Sequence, residues 1–200
     1  DSSLRLRSAQ NDKREGWRVI LIDRNDYHAH VPLLYDVATA YFGREESGER
    51  QLRAGCAIKL TDILPPGVEF AQGEVSGVDC KTQEVMITPA SSPLPKEEKL
   101  KYDYLVLALG SAIDFFDIPG LAEQAHTFGS VLDAIRLRRL IRDGLEKQAS
   151  EKNRSPLTIL VGGGGATGVE FACELAALFH HLERQGALKR GAWEMMLVEA

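Results

Sequence analysis

The chain has 200 residues, enough to bury a core as one large domain or two small ones, and its 44% hydrophobic and 26% charged residues with a mean hydropathy of -0.18 match an ordinary globular protein. A formal net charge of -5 and a pI near 5.6 leave no basic stripe, which excludes nucleic acid as a partner. Cys56, Cys80 and Cys173 are scattered, with no CxxC or metal-ligand spacing, and read as reduced thiols in a cytosolic compartment with no metal site.

At the front, "DSSLRLRSAQNDKREGW" has no apolar signal-peptide core, and no run anywhere approaches the roughly 20 apolar residues needed to span a bilayer. The chain does not start with methionine and stops on the strand-like "WEMMLVEA", so it reads as cut at both ends. Residues 2–10 can form a short helix with Leu4, Leu6 and Ala9 as its apolar positions. "WRVILID" is a nearly continuous apolar, β-branched run, the pattern of a strand buried on both faces. "VPLLYDVATAYF" reads as a helix opening with Pro32, where a missing N–H does no harm. "CAIKLTDIL" reads as a further helical turn or two. "VEFAQGEVSGVDCKTQEVMIT" alternates apolar and polar residues around a turn near Lys81 and predicts an antiparallel hairpin. "PASSPLPKEEK" is a loop rich in proline, serine and charge. "YDYLVLALGS" reads as a second buried strand, ending in glycine. "SVLDAIRLRRLIRDGLEKQ" is an amphipathic helix that Ser130 or Asp133 could cap, with basic residues in its later turns. "SEKNRSP" is a linker. A strand at 157–161, a glycine loop, a helix from about Ala166 to His181 and a strand at 194–199 complete the chain.

The glycine loop carries the most chemistry. In "LTILVGGGGATGVEF", Gly163-x-Gly165-x-x-Gly168 follows a strand and opens a helix. Gly163 permits the tight turn, Gly165 lets the backbone approach a pyrophosphate, and Gly168 lets the helix pack closely on the strand. Phosphates would then meet free N–H groups and the positive end of the helix dipole. The next strand ends in Glu199, whose carboxylate suits an adenine-ribose diol and repels a 2′-phosphate, which favours NADH over NADPH. Glu199 lies 36 residues after Gly163 rather than the usual figure of about 20, a length assigned to the long helix and "ERQGALKRGAW".

Asp23 closes "WRVILID" as Glu199 closes "WEMMLVEA". A glycine loop for Asp23 would have to precede residue 1, with residues 2–10 as the helix that follows it. The late loop is then the second of two nucleotide sites.

Three stretches, "LIDRNDYHAHVPLLYDVATA", "YDYLVLALGSAIDFFDIPGLAEQA" and "VGGGGATGVEFACELA", resemble type II NADH:quinone oxidoreductases, members of the flavoprotein superfamily with two dinucleotide-binding domains. The resemblance implies an α/β fold of tandem Rossmann-like domains with a small antiparallel β insertion, truncated at both ends. Residues 1–115 would be an FAD-binding domain without its N-terminal glycine loop, and 116–200 an incomplete NADH-binding domain. It implies that NADH reduces FAD, which then reduces a membrane quinone. By the same resemblance Asp23 takes the FAD ribose, Arg24 lies beside the adenine end, and Val75 contacts adenine through its backbone. Ala108, Leu109 and Gly110 form the turn past the FAD phosphates, and Pro32, Leu33 and Leu34 approach the flavin ring. Gly163, Gly164, Gly165, Ala166, Thr167 and Gly168 form the NADH pyrophosphate loop, Glu199 takes its ribose, and Glu170 stands near the nicotinamide. Glu170 is the one catalytic candidate, since flavin chemistry needs mainly position and electrostatics from the protein; an acid there also suits the dipole of a helix's first turn. The resemblance further implies attachment to a membrane surface through segments this chain lacks, and is compatible with a homodimer. Its location would be the cytoplasmic face of the cell membrane, or the mitochondrial inner membrane.

Two other readings stay open. One is an NADH-dependent flavoprotein reductase of a ferredoxin- or rubredoxin-type protein acceptor. The other is a non-catalytic nucleotide-binding fragment. Disulfide reductases need a CxxxxC pair on the helix after the first acid-ended strand, where "YHAHVPLLYDVATA" has no cysteine. Sulfide:quinone reductases are disfavoured because their redox cysteines are not apparent. His28 and His30 have no ligating neighbours in sequence and read as surface or packing residues. His180 and His181 suit a helix C-terminus. Cys173, at helical spacing with Val169, Ala172 and Ala176, reads as core, and "KEEK" as a solvated loop.

Overall fold

The computed structural model describes residues 16–40, 54–90, 97–150 and 155–199. The expected helix at 2–10 and most of the linker "SEKNRSP" lie outside the described residues. The chain divides into two compact units that are not contiguous in sequence: residues 1–28 with 58–112, and residues 29–57 with 113–200.

The first unit is built on a four-stranded mixed sheet in the order β1-β4-β5-β6, with β1 at Val19–Asp23, β4 at Val68–Asp79, β5 at Glu84–Pro89 and β6 at Glu98–Lys101. The twelve-residue β4 serves two neighbours. Its first half runs parallel to β1, with Val19 opposite Val68 and Asp23 opposite Gln72. Its second half turns antiparallel to β5 after Asp79 accepts the backbone N–H groups of Lys81 and Thr82. These two bonds hold the Asp79 carboxyl below its usual range. The expected hairpin is therefore present. The "KEEK" loop is not: Glu98 and Lys99 belong to β6, whose antiparallel pairing with β5 sets Lys99 across from Met86 and brings its ammonium 3.2 Å from the Glu84 carboxylate. Alternation on β5 buries Val85 and Ile87, which with Ala71 and Leu60 form this unit's small core.

A larger difference lies at "YDYLVLALGS". No strand forms there, and Val106, Leu107 and Leu109 are exposed. A strand buried on both faces needs hydrogen-bonded neighbours, and among the described residues none pairs with this run. The expected burial of β1 on both faces also falls short, since Val19 is exposed and the rest of the strand is half-buried.

The chain passes between the units along a two-stranded pair, β2 (Tyr27–Ala29) with β3 (Ala57–Lys59). "AIK" is thus a strand where a helical turn was expected, drawn into pairing and flanked by the His30 N–H to Cys56 carbonyl bond of 2.8 Å. Of "CAIKLTDIL", Cys56, at the end of a helical stretch at 54–56, and Leu60–Ile63 (α2) are helical.

The second unit is helix-rich. Pro32 lies in a 3-10 turn, Val31–Leu33, that leads into the helix α1, Leu34–Thr39. Leu34, Val37 and Ala38, spaced i, i+3, i+4, are buried, and that face packs on the long helices α4 (Val131–Ser150) and α5 (Ala166–Arg184). A one-turn helix, α3, spans Leu121–Gln124. Ser130 caps α4: its Oγ accepts the Asp133 N–H at 3.1 Å, while the Asp133 carboxylate reaches back to the Gly129 N–H at 3.2 Å and the Thr127 hydroxyl at 3.0 Å. Both residues named as caps act together.

Strands β7 (Leu157–Gly162) and β8 (Trp193–Val198) run parallel, joined by α5. The buried stripe of α5 is Phe171, Leu175, Leu178, Phe179 and Leu182. Cys173 is exposed, because that stripe lies round the helix from the Val169, Ala172, Ala176 line on which it was expected to be core. Phe179 is fully buried with its ring 5.0 Å from that of Trp193. Phe179→Ala is expected to cost about 3–5 kcal/mol, read as a lower urea midpoint with little change in slope.

Candidate functional site

The glycine loop sits where β7 gives way to α5. Gly163 has φ +108°, a conformation L side chains rarely adopt, and turns the chain out of the strand. Gly165 is the N-cap of α5 in an extended conformation, and its carbonyl accepts the first helical bond from the Val169 N–H at 3.0 Å. No side chain caps this end, so its orphan N–H groups face outward with the dipole behind them, the arrangement that binds anions. Gly168 is required by close approach: a Cβ there would stand 1.9 Å from the Gly163 carbonyl oxygen and 3.0 Å from its carbon. Ala166 and Thr167 form the first helical turn between these contacts.

The spacing of Glu199 resolves in the register of the sheet. Gly162 lies opposite Val198, and the Gly163 N–H donates to the Val198 carbonyl at 2.8 Å. Glu199 therefore arrives beside the loop however long the connection, and its carboxylate accepts the Gly164 N–H. The extra residues are the nineteen of α5 and the turn at 185–192, in which Leu188 and Ala192 are buried.

Glu170 is the fifth residue of α5. The first turn of that helix holds no acid, so the dipole does not account for Glu170. Tyr35 on α1 is close enough to Glu170 and Thr167 to feel both: partial burial first, then Glu170, raise its phenol above the usual tyrosine range, while Thr167 works the other way. Pro32 and Leu33 are exposed, whereas Leu34 anchors α1 in the core.

A second group lies in the first unit. Asp23 ends β1, and its Oδ1 accepts the Asn25 N–H at 2.8 Å, which shapes the turn after the strand. Gln72, opposite Asp23 on β4, donates from Nε2 to the Arg24 carbonyl at 3.1 Å. Val75 is three residues farther along β4, paired with Ile87 at a bulge between Val75 and Gly77. Asp23 thus closes the β1–β4 ladder, Arg24 follows it in the turn, and Val75 lies beyond the ladder on the part of β4 that pairs with β5. Ala108, Leu109 and Gly110 lie in irregular exposed chain, with Gly110 at φ +78°. Gln72 escapes sequence reasoning, since it acts on a partner that no motif links to it. Among the described residues no group of His, Cys, Asp and Glu could hold a metal ion.

A family model described as pyridine nucleotide-disulphide oxidoreductase matches residues 6–200. The chain is 32% identical over 171 residues to the external alternative NAD(P)H-ubiquinone oxidoreductase B2, mitochondrial, of Arabidopsis thaliana, covering 83% of this chain and 29% of that protein. It is 31% identical over 170 residues to the external alternative NADH-ubiquinone oxidoreductase, mitochondrial, of Yarrowia lipolytica, covering 82% of this chain and 28% of that protein. The chain thus spans under a third of either relative's length. Among solved structures, the fold matches NDH2 from Plasmodium falciparum in complex with NADH, with a TM-score of 0.73 at 22% identity, over 90% of this chain and 36% of that one.

Proposed function

The chain belongs to the pyridine nucleotide-disulphide oxidoreductase family, and on that premise we propose that it is part of an FAD-dependent NADH dehydrogenase that delivers electrons to a membrane quinone. The observation that carries the reading is the uncapped, glycine-lined start of α5 with the Glu199 carboxylate beside it. That geometry suits a dinucleotide: N–H groups for the pyrophosphate, no Cβ in the way, and an acid for a ribose diol. The names of the plant and yeast relatives supply the quinone, and favour it over a protein acceptor.

The residues of the first unit fit the adenosine end of FAD. Asp23 stands at the carboxyl end of a parallel strand, the position from which a carboxylate takes a ribose, with Arg24 next in the turn and Val75 three residues past Gln72, the partner of Asp23, on β4. When bound, FAD supplies the two-electron relay between NADH and quinone. Asp23, Arg24 and Val75 would hold its adenosine and Ala108 to Gly110 would pass its phosphates, while the family resemblance assigns Pro32 to Leu34 to its ring. Gly163 to Gly168 bind NADH and Glu199 orients it, while Glu170 sets the charge around the nicotinamide. In this reading the domain assigned to FAD is residues 1–115 and that assigned to NADH is 116–200, although α1, with Pro32 to Leu34, is built into the second unit.

Redox-cysteine chemistry has no support despite the family's description: Cys56 is buried, Cys80 and Cys173 are exposed, none of the three is paired in a disulfide, and α1 contains no cysteine. The reading extends to a peripheral seat on a quinone-bearing membrane, on the cytoplasmic face of a cell membrane or at the mitochondrial inner membrane. No helix among the described residues is long and apolar enough to cross it.

An anaerobic NADH titration of the protein, followed by a soluble quinone, tests the proposal. The flavin absorbance band is expected to bleach with NADH and return with quinone. Bleaching without return would transfer the reading to a protein acceptor, and a colourless protein that does not bind NADH would overturn it.

A further inference from the structure

Gly163 is needed for its positive φ and Gly168 for backbone contact, but neither reason applies to Gly164. Its φ lies outside the left-handed region, so its backbone would accept an alanine. What a side chain would meet there is Glu199. A Cβ on Gly164 would stand 3.1 Å from Glu199 Oε2, 3.2 Å from its Cβ and 3.3 Å from its Cδ. The same Oε2 accepts the Gly164 N–H, and no other described residue donates to the Glu199 carboxylate. The backbone that carries Glu199 is fixed from behind. Val198 lies opposite Gly162, and its carbonyl holds the Gly163 N–H at 2.8 Å. One carboxylate oxygen is thus pinned to the loop while the other points away from that bond.

We propose that Gly164 is a positioning residue whose N–H and bare Cα clamp the Glu199 carboxylate against the loop, and so set the discrimination between NADH and NADPH without touching the group in which the two differ. This rests on the reading of the loop and Glu199 as the NADH site. NADH offers a ribose 2′-hydroxyl that donates to a carboxylate, whereas NADPH offers a phosphate that a carboxylate repels. Both effects need the carboxylate held in place. Glu199 is exposed, and an exposed glutamate without an anchor spreads over several rotamers and is screened by solvent. The bond from a backbone N–H to an ionised oxygen is the kind strong enough to hold it. A methyl group at 164 takes that place away. Glu199 Cβ cannot retreat because β8 is paired to β7, so the carboxylate must turn off the loop. Gly165 is the contrast: a Cβ there meets nothing of the protein within 4 Å, and so intrudes only on what the loop binds.

The test measures dissociation constants for NADH and NADPH on the full chain by nucleotide fluorescence, with circular dichroism on the same samples. It compares the parent with Gly164→Ala, Gly165→Ala, Glu199→Ala and the pair Gly164→Ala with Glu199→Ala. Gly164→Ala is expected to lower the preference for NADH over NADPH about tenfold, the scale of one hydrogen bond to a charged group, chiefly by weakening NADH. Gly165→Ala is expected to weaken both nucleotides alike, because the pyrophosphate is common to them, and to leave the ratio where it was. On the Glu199→Ala background, Gly164→Ala should no longer move the ratio. Glu199→Asp is the second route to the same state: its arm is one carbon shorter, falls short of the Gly164 N–H and adds no bulk. It should lower the preference too, and it decides the matter if Gly164→Ala does not fold. Equal weakening of both nucleotides by Gly164→Ala, or a shift in ratio that survives Glu199→Ala, would overturn the inference and leave the loop reading intact. So would an unmoved ratio in Gly164→Ala and Glu199→Asp proteins that bind both nucleotides. A folded parent that binds neither nucleotide would overturn the nucleotide-site reading itself, and this inference with it.

Discussion

Gly168→Ala is expected to weaken NADH binding by about a hundredfold or more while leaving most of the second unit folded. The added methyl would stand 1.9 Å from the Gly163 carbonyl oxygen, about half of a normal contact distance. Both atoms of the clash are tied to backbone, so no side-chain rotation relieves it. Gly163 is held in turn by its N–H bond to Val198. The start of α5 must therefore lift by an ångström or more, and the N–H groups meant for a pyrophosphate move with it. Misplacement on that scale costs about 10²-fold where geometry carries the binding. The core beneath, with Phe171, Leu175 and Phe179, lies along the helix and should hold. Circular dichroism and NADH fluorescence on the same sample separate the two effects. Parent-like NADH affinity in a folded Gly168→Ala protein would remove the loop from the site.

The second large effect is expected at Glu199. Glu199→Arg should lower the preference for NADH over NADPH by about tenfold to a hundredfold, the range open to a charge reversal beside a phosphate in a partly solvated site. Two causes add. The carboxylate that would repel a 2′-phosphate becomes a cation that attracts it. The Gly164 N–H also loses its acceptor, which loosens the loop for both nucleotides. NADH should therefore bind more weakly in absolute terms, with NADPH recovering part of the loss through the new charge. The preference should also fall toward parity as salt is raised, because a charge at an exposed site is screened. The ratio of kcat/KM values for the two substrates in the intact protein is the measurement. An unchanged ratio would take Glu199 out of the ribose site.

The parts of this molecule legible in its sequence are those decided by near neighbours. The run from β7 through the loop into α5 reads correctly because strand, turn and helix each carry their own signal within a few residues. Ser130 and Asp133 cap α4 for the same reason. The hairpin of β4 and β5 follows from alternation and from an aspartate that closes its own turn. Parts decided by distant partners read poorly. "YLVLAL" has the composition of a central strand, but a strand exists only where another offers it hydrogen bonds. "AIK" and "EKLK" look like helix and loop until β2 and β5 pair with them. Cys173 lies on an apolar line of α5, yet the face that becomes buried is chosen by what packs on the helix. In the site, the glycines and Glu199 announce themselves by motif. Gln72 does not, because the carbonyl it holds belongs to Arg24, far back along the chain.

That same separation has a consequence for synthesis on the ribosome. Helix α1 at residues 34–39 has its packing partners at 131–150 and 166–184. At about 5–20 residues per second, the second of these is made roughly 7 to 30 seconds after α1 itself. During that interval Leu34, Val37 and Ala38 have no finished surface to cover them, and the six-residue helix is too short to persist alone. The nascent chain thus carries an uncovered apolar segment until α5 has been made. It is the natural place for a chaperone to engage, and the step at which a fast-translated or overexpressed protein would be lost to aggregation.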